Sequence, residues 1–152
     1  MEAALLPVWP LPLAFPRHVD TWHPLLLKRA NALDRVCIGS FSDARIAAVR
    51  TAFGAAVCTS MGPREVARFW LAKRGIPAGR FGANCLQIPV KQGPFRLVDA
   101  RSVAAAHRRG LQVHVWTIDD EAEMRRLIAL GVDGIMTDRP ALLRRVLTPA
   151  RE

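Results

Sequence analysis

From residue 34 onward, short apolar runs alternate with stretches whose apolar residues recur at helical spacing. Five runs of strand type cover residues 35–41, 55–59, 84–90, 111–118 and 132–137, and a helical stretch follows each of them. Parallel strands need crossover connections, whereas antiparallel strands can be joined by tight turns. The pattern therefore predicts five parallel βα units in an α/β fold.

Polar residues and glycines at the ends of the helical stretches predict where the helices begin and end. Ser42 is expected to cap one helix, Asp99 or Ser102 another, and Asp119 or Asp120 a third. Apolar residues at helical spacing are expected to face the core: Ile46, Ala47, Val49, Phe53, Val66, Phe69, Trp70, Leu71, Val103, Ala106, Met124, Leu127, Ile128, Leu130, Leu142, Leu143, Val146 and Leu147. The strands are almost continuously apolar, which predicts a sheet covered on both faces. An open doubly wound sheet and part of a barrel both fit.

Residues 1–32 differ from the rest and are expected to form a proline-rich, partly ordered arm ahead of a domain over residues 33–152. Prolines interrupt the first apolar run, and Glu2 stands where a signal peptide carries positive charge. No uninterrupted run of about 20 apolar residues occurs, so a cytoplasmic location is expected. A short helix is predicted from near Pro24 to about Leu33, with Thr21 or Trp22 upstream.

Composition narrows the possible functions. The chain has 152 residues, a net charge of +9 and a hydrophobic fraction of 51%, which suits a folded domain rather than a disordered one. Its arginines are dispersed, tyrosine is absent, and no aromatic residues interleave with the basic ones, so nucleic-acid binding is not favoured and the charge is interpreted as a solvated surface. Cys37, Cys58 and Cys85 lie on or beside strands and are expected to be small buried apolar residues.

The last two predicted strands carry a specific pair of motifs. Residues 110–119 read GLQVHVWTID, and residues 130–140 read LGVDGIMTDRP, with one helix between them. This arrangement resembles the C-terminal end of the glycerophosphodiester phosphodiesterase family, in which a V-x-x-W-T strand precedes a G-V/A-D-G strand. Residues 35–43 (RVCIGSFSD) and 86–89 (LQIP) resemble upstream strands of the same family, so that the resemblance covers roughly residues 33–147.

The resemblance implies a fold and an activity. The fold is a (β/α)8 TIM barrel, of which this chain supplies only the C-terminal part, because a closed barrel usually needs ~250 residues. The activity is the hydrolysis of glycerophosphodiesters to an alcohol and glycerol 3-phosphate, in lipid and glycerol metabolism, with a divalent metal such as Mg²⁺ or Ca²⁺.

The catalytic motifs that the resemblance implies are not found in the sequence. The family has a His-Arg-Gly strand, a Glu-x-Asp strand, a second catalytic His and a further metal-binding Glu. The nearest stretches here, residues 107–109 (HRR) and 121–123 (EAE), lie at a helix end and in a first helical turn. His18 and His23 have no acidic partner at useful spacing. No catalytic or metal-binding residue is therefore assigned, and we expect a truncated family member that is inactive alone.

Three residues are candidates for substrate binding. Trp116 lies at the end of its strand, and the resemblance implies that it forms a wall of the substrate pocket. Ser40 ends another strand and could contact phosphate or a neighbouring loop, or it could simply be a hydrogen-bonded hydroxyl at the strand end. Gln87 is a weaker candidate that would line the pocket. His114 shares strand parity with Trp116 and is expected to be an interior histidine rather than a catalytic one. Asp138 is expected to be structural, bonding backbone at the start of the last helix.

Three hypotheses of function remain open. The first is a glycerophosphodiester phosphodiesterase that lacks its catalytic half. The second is a non-catalytic half-barrel that binds ligand around Trp116, and the third is a basic nucleic-acid-binding module. Because a half-barrel leaves strand edges unpaired, we expect marginal stability, self-association, or an N-terminal half supplied separately.

Overall fold

A computed structural model describes residues 23–148, with the side chains of residues 23–25 left aside. Its helices are α1 His23–Arg29, α2 Asp43–Phe53, α3 Pro63–Lys73, α4 Ala100–His107, α5 Glu121–Ala129 and α6 Pro140–Leu147. Its strands are β1 Cys37–Ile38, β2 Cys58–Thr59, β3 Cys85–Pro89, β4 Lys91–Gln92, β5 Phe95–Arg96, β6 Gln112–Trp116 and β7 Gly134–Ile135. None of the helices in this part of the chain has the length and apolar character to cross a bilayer.

Two compact units divide these residues. The first holds residues up to 72 together with 77–84, and the second holds 73–76 together with the chain from 85 onward. All five predicted strands are present with a helix after each, so the prediction of five βα units is confirmed. The domain boundary expected at residue 33 stays a prediction, and His18, Thr21 and Trp22 lie outside the described residues.

The first unit is built on the parallel pair β1–β2, in which Cys37 is opposite Cys58. Its core is centred on Phe69 of α3, which is fully buried and packs edge-on against the rings of Trp70 and Phe81. Asn84 adds a polar anchor, because its backbone N–H donates to the carbonyl of Thr59 while its side-chain oxygen accepts the Thr59 N–H.

The second unit is a three-stranded parallel sheet in the order β3–β6–β7, with a separate antiparallel hairpin of β4 and β5. Alternate residues of the central strands, namely Leu86, Ile88, Val113 and Val115, are all buried. These strand residues project from one side of the sheet. The core of the unit also contains buried side chains of α4, α5 and α6, namely Val103, Ala105, Ala106, Met124, Leu127, Leu142 and Val146.

Several helix ends follow the sequence signals. The Ser42 side chain accepts the Arg45 N–H and caps α2, and Asp120, rather than Asp119, caps α5 by accepting the Glu123 N–H. Asp99 and Ser102 act together in a capping box on α4: the Asp99 carboxylate accepts the Ser102 N–H and the Ser102 hydroxyl accepts the Asp99 N–H.

The predicted strands and the first helix were too long. The hairpin Lys91–Gln92/Phe95–Arg96 was not predicted, since Pro89 and Gly93 were expected to end the strand over residues 84–90. Helix α1 ends at Arg29 rather than near Leu33 because Asn31 adopts φ 47°, a left-handed conformation that terminates helices. A 3-10 turn, Leu33–Arg35, follows instead.

The expectation that both sheet faces are covered was wrong for the three-stranded sheet. Gln87, His114 and Trp116 are half-buried although their neighbours along the strands are buried. Polar Gln87 and His114 interrupt runs that are otherwise apolar, and both project from the same face of the sheet. One face of this sheet is therefore only partly covered, although Cys85 on the same face is fully buried.

Some predicted core positions on the helices were also wrong. Leu71, Ile128 and Leu147 are exposed, each by more than a third of its surface. A short helix buries a narrow stripe at i and i+3 or i+4, and the next residue along points about 100° away. Ala47 is exposed for the same reason beside buried Ile46, and Cys37 and Cys58 are half-buried while Cys85 is buried as expected.

Replacing Asp99 with alanine should destabilise the protein by ~1–2 kcal/mol, because the substitution removes the α4 cap and the ion pair with Lys73 at 2.9 Å. Chemical unfolding of both proteins measures the difference. The matched control is Asp34→Ala, an exposed acid for which ~0.5 kcal/mol or less is expected. Equal losses in the two variants would contradict the capping role.

Candidate functional site

The half-buried face of the three-stranded sheet brings two of the predicted site residues together. The register places Gln87 opposite His114 and His114 opposite Gly134, while Pro89 is opposite Trp116 in the next row. Paired residues of parallel strands project from the same face, and every second residue returns to it. Gln87, His114 and Trp116 thus share one face, as the parity argument predicted for His114 and Trp116.

His114 lies directly over a glycine. A Cβ atom at position 134 would be 2.8 Å from His114 Cδ2 and 3.2 Å from its Cγ. These distances are shorter than van der Waals contact, so only glycine leaves room for the imidazole in this position. The second glycine of the GVDG sequence is therefore needed for close approach, a reason that the sequence alone did not supply.

The carboxyl ends of β6 and β7 are joined through Asp119. Its Oδ1 accepts hydrogen bonds from the Thr137 hydroxyl and from the Asp138 N–H, each at 2.8 Å. The Ile118 N–H donates to the Met136 carbonyl at 2.9 Å. These bonds fix the loop that follows Trp116, where the Trp116–Thr117 peptide bond is cis.

The structural role expected of Asp138 belongs mainly to Asp119. The residue before α6 is Arg139, which makes no side-chain capping bond, and α6 begins with Pro140. Proline at the first position supplies no N–H, so one of the donors that a cap would satisfy is missing. Asp138 contributes its backbone N–H to the Asp119 carboxylate, and its side chain is exposed.

The amino end of the same strands is joined through Asp133. Its Oδ2 accepts the Val113 N–H at 2.8 Å and lies 2.8 Å from His107 Nε2. One carboxylate therefore connects α4, β6 and the start of β7. Two aspartates, one at each end, hold the register that aligns Gln87, His114 and Gly134.

Ser40 belongs to the first unit, whereas Gln87 and Trp116 belong to the second. Its hydroxyl oxygen accepts the Ser42 N–H at 3.1 Å, a turn just before α2. This contact matches the alternative in which Ser40 is a hydrogen-bonded hydroxyl at a strand end. Its assignment as a substrate-binding residue stays a prediction.

The first unit contains a polar network that the sequence analysis missed. Arg50 donates from Nε to the Thr59 hydroxyl at 2.9 Å, and from Nη2 to the Ser60 carbonyl at 3.1 Å and to Glu65 Oε2 at 2.8 Å. Glu65 also accepts the N–H groups of Gly62 and Gly82. Arg50 borders a cavity of about 260 Å³ lined by Gly54, Ala55, Val57, Thr59, Gly82 and Asn84. The two charges are 15 residues apart, so no local spacing pointed to them.

The network sets the ionisation of Glu65. Burial by itself would raise the pKa of this carboxyl, but the hydrogen bond from Arg50 and those from Gly82 and Gly62, with the Arg50 charge, outweigh burial and hold the pKa below its ordinary value. Glu65 is therefore charged at neutral pH, and its carboxylate accepts hydrogen bonds that hold the surrounding backbone and Arg50 in place.

An oxygen-ligand site for Mg²⁺ or Ca²⁺ does not emerge from the described residues. Mg²⁺ and Ca²⁺ need several converging oxygen ligands, and no group of three or more carboxylates or histidines converges in this part of the chain. The Asp119 and Glu65 carboxylates are engaged by backbone and side-chain donors. These residues do not fit a metal of this class.

Replacing Gly134 with alanine should destabilise the protein by ~1–3 kcal/mol, because the added methyl group overlaps the His114 ring. Thermal and chemical unfolding measure the loss. In the His114→Ala background the same change should cost far less, since the ring is gone. An undiminished cost in that background would show that the His114 contact is not responsible.

Replacing Glu65 with glutamine should cost ~1–2 kcal/mol at neutral pH, because charged hydrogen bonds from Arg50 and two backbone N–H groups are weakened. The pKa of Glu65 is lowered in the folded state, so its contribution is present above the unfolded pKa, about 4.3, and is lost as the pH falls through the folded value. Unfolding free energies of the two proteins should therefore converge in acid.

The control for this experiment is Glu121→Gln, which breaks an exposed ion pair with Arg125 and should cost ~0.5 kcal/mol or less. A constant difference between wild type and Glu65→Gln across the acid range would rule out the charge as its source.

Comparison with known proteins assigns the family. The model of the glycerophosphoryl diester phosphodiesterase family matches residues 21–142. A probable glycerophosphodiester phosphodiesterase 2 from Mycobacterium tuberculosis is 34% identical over 128 residues, which cover 80% of this chain and 48% of that protein. This chain thus spans about half the length of that relative.

Solved structures agree with this assignment. A putative glycerophosphoryl diester phosphodiesterase from Silicibacter pomeroyi matches with a TM-score of 0.60 and 26% identity, over 80% of this chain and 40% of that one. A glycerophosphodiester phosphodiesterase from Agrobacterium tumefaciens shares the fold, with a TM-score of 0.62 at 19% identity, over 86% of this chain and 52% of that one. The Trp116 and Gly134 strands predicted from sequence to carry the resemblance lie within the matched residues, and the chain belongs to the glycerophosphoryl diester phosphodiesterase family.

Proposed function

We propose that the protein acts in the hydrolysis of glycerophosphodiesters to an alcohol and glycerol 3-phosphate, and that this chain contributes a substrate-binding wall. The observation that carries the proposal is the half-buried sheet face on which Trp116 and Gln87 lie. Trp116 is the last residue of β6, and ligand sites of parallel α/β folds form at the carboxyl ends of strands.

The architecture proposed for the whole protein is a TIM barrel, with these βα units as its C-terminal part. Parallel pairing in both sheets, a helix after each of the five predicted strands, and likeness to glycerophosphodiester phosphodiesterase structures support it. In such a barrel the face of Gln87, His114 and Trp116 would be the interior one. The described strands form a parallel pair, a parallel triplet and the antiparallel hairpin, none of them closed.

The chemistry of these side chains suits a small phosphodiester. The Trp116 indole offers an apolar wall to the glycerol carbons and an N–H donor at its edge. The Gln87 amide can donate to a phosphate oxygen and accept from a hydroxyl. The Asp119 bonds hold the loop after Trp116, so the wall is positioned before ligand arrives.

The catalytic groups of the reaction are proposed to lie outside the residues assigned here. The family resemblance implies a divalent metal, which would polarise the phosphodiester when bound. The described residues do not supply its ligands, so no step is derived through it.

Glycerol 3-phosphate should quench the tryptophan fluorescence of the purified chain, and Trp116→Phe should abolish the response, because Trp116 is the residue proposed to form the substrate-binding wall. Trp70→Phe is the matched control, since Trp70 packs against Phe69 on α3 and should not affect the titration. Equal quenching in wild type and Trp116→Phe would contradict the proposed wall.

A second arm tests where catalysis is located. Glycerophosphocholine with Mg²⁺ or Ca²⁺ should not be turned over by this chain, and release of choline is the measured signal. Turnover that persists after further purification and is lost in Trp116→Phe would support the substrate-binding wall. The same result would refute the proposal that the catalytic groups lie outside the residues assigned here.

A further inference from the structure

The hairpin of β4 and β5 is a feature of the second unit that the hydrolytic site does not use. It begins at Lys91, two residues after Pro89, which is opposite Trp116 in the sheet. Gly93 forms the turn with φ 57°, and the Val90 carbonyl accepts the Leu97 N–H at 2.8 Å, which closes the base of the hairpin.

Two like charges are opposite each other in this hairpin. Lys91 pairs with Arg96 across the antiparallel ladder, an arrangement that destabilises a two-stranded ribbon. Both side chains are exposed, and neither makes an ion pair or a side-chain hydrogen bond with any residue the structure describes. Nothing in the folding of the hairpin explains this pair.

One acid acts on both cations but is bonded to another residue. Glu123 on α5 feels both cations, and its pKa is lowered first by the hydrogen bond from Arg126, against burial, and further by the charges of Arg126, Arg96 and Lys91. Both Glu123 oxygens are bonded to Arg126, at 2.6 and 2.7 Å. The hairpin therefore keeps a net positive charge toward solvent.

A large apolar side chain lies one residue nearer the turn than these cations and projects from the opposite face of the hairpin. Phe95, opposite Gln92, is 70% exposed, beside Pro94 at the tip. A single exposed apolar residue is ordinary in itself. A hairpin that enters tip first would place Phe95 deepest and the two cations one residue behind it. This order suits an interface with an apolar interior and anionic headgroups, where amphipathic side chains bury their carbon and leave the charge at the phosphates.

We propose that the hairpin 91–96 docks on an anionic phospholipid surface, with Phe95 inserted among the acyl chains near the headgroups and Lys91 and Arg96 on lipid phosphates. Since the hairpin follows the carboxyl end of β3, docking would bring the Trp116 edge of the sheet to the lipid–water interface. A nucleic acid is less well matched, because single-strand binding uses several aromatic residues along a basic groove. The proposal concerns binding alone and does not depend on hydrolysis.

The test is vesicle flotation of the full chain. Binding is expected to vesicles of phosphatidylcholine mixed with phosphatidylglycerol, to be far weaker with phosphatidylcholine alone, and to fall as salt rises. Lys91→Gln/Arg96→Gln should weaken binding by about 25-fold, roughly fivefold for each charge. Phe95→Ser should weaken it by about tenfold or more.

Matched controls separate the hairpin from the general charge of the chain. Arg144→Gln/Arg145→Gln removes the same charge from exposed positions on α6, and Ile76→Ser removes an exposed apolar side chain elsewhere. Both should bind vesicles as wild type does, and thermal unfolding checks that every variant folds.

Four outcomes would overturn the proposal. The first is an equal loss of vesicle binding in the α6 control and the hairpin double variant. The second is equal binding to neutral and anionic vesicles. The third is release from vesicles by millimolar inorganic phosphate, which would indicate a small-anion site instead. The fourth is binding of single-stranded RNA, in place of vesicles, that the hairpin substitutions remove.

Discussion

The parallel pairing of β6 with β3 on one side and β7 on the other determines which side chains meet in the second unit. Because the side-chain period of a strand is two residues, this register places Leu86, Val113 and Val115 against the helices and turns Gln87, His114 and Trp116 to the other face. A slip of one residue would exchange the two sets, burying a histidine and exposing valines. The candidate site therefore exists only as long as the register holds.

Polar anchors at both ends of the strands protect that register. Asp133 ties the amino end by accepting from Val113, and Asp119 ties the carboxyl end by accepting from Thr137 and Asp138. Carboxylates that accept backbone N–H groups make stronger bonds than neutral acceptors do. In the first unit Glu65 plays the same part with Arg50 and two backbone N–H groups. Several acidic residues of this basic chain thus hold backbone in place.

The cationic side chains differ in whether an acidic side chain is paired with them. Arg125 and Arg126 are paired with acids one helical turn away, whereas Lys91 and Arg96 face each other without an acid of their own. Dispersion along the sequence had suggested a uniformly solvated charge. The antiparallel ladder of the hairpin brings two of these charges opposite each other, one residue from the exposed Phe95.

Local signals determined much of this protein. Strand runs, capping residues such as Ser42 and Asp120, and the strand motif ending at Trp116 were readable because each depends on residues a few positions apart. The motifs also identified the family, and strand parity placed His114 and Trp116 on one face. The exposure of Leu71 and Ile128 could not be predicted from the sequence. An apolar residue in a helix does not show whether another element packs against its side of the helix.

Only the tertiary structure decided the contacts between distant residues. The Arg50–Glu65 network, the fit of His114 over Gly134 and the opposition of Lys91 to Arg96 all depend on how separate segments come together. A sequence shows the secondary-structure propensity of each segment and the spacing of its apolar residues. The distances between residues of different segments follow from packing and strand register. The sequence by itself therefore determined the family and the order of elements, while the fold decided which side chains share a face, a bond or an uncompensated charge.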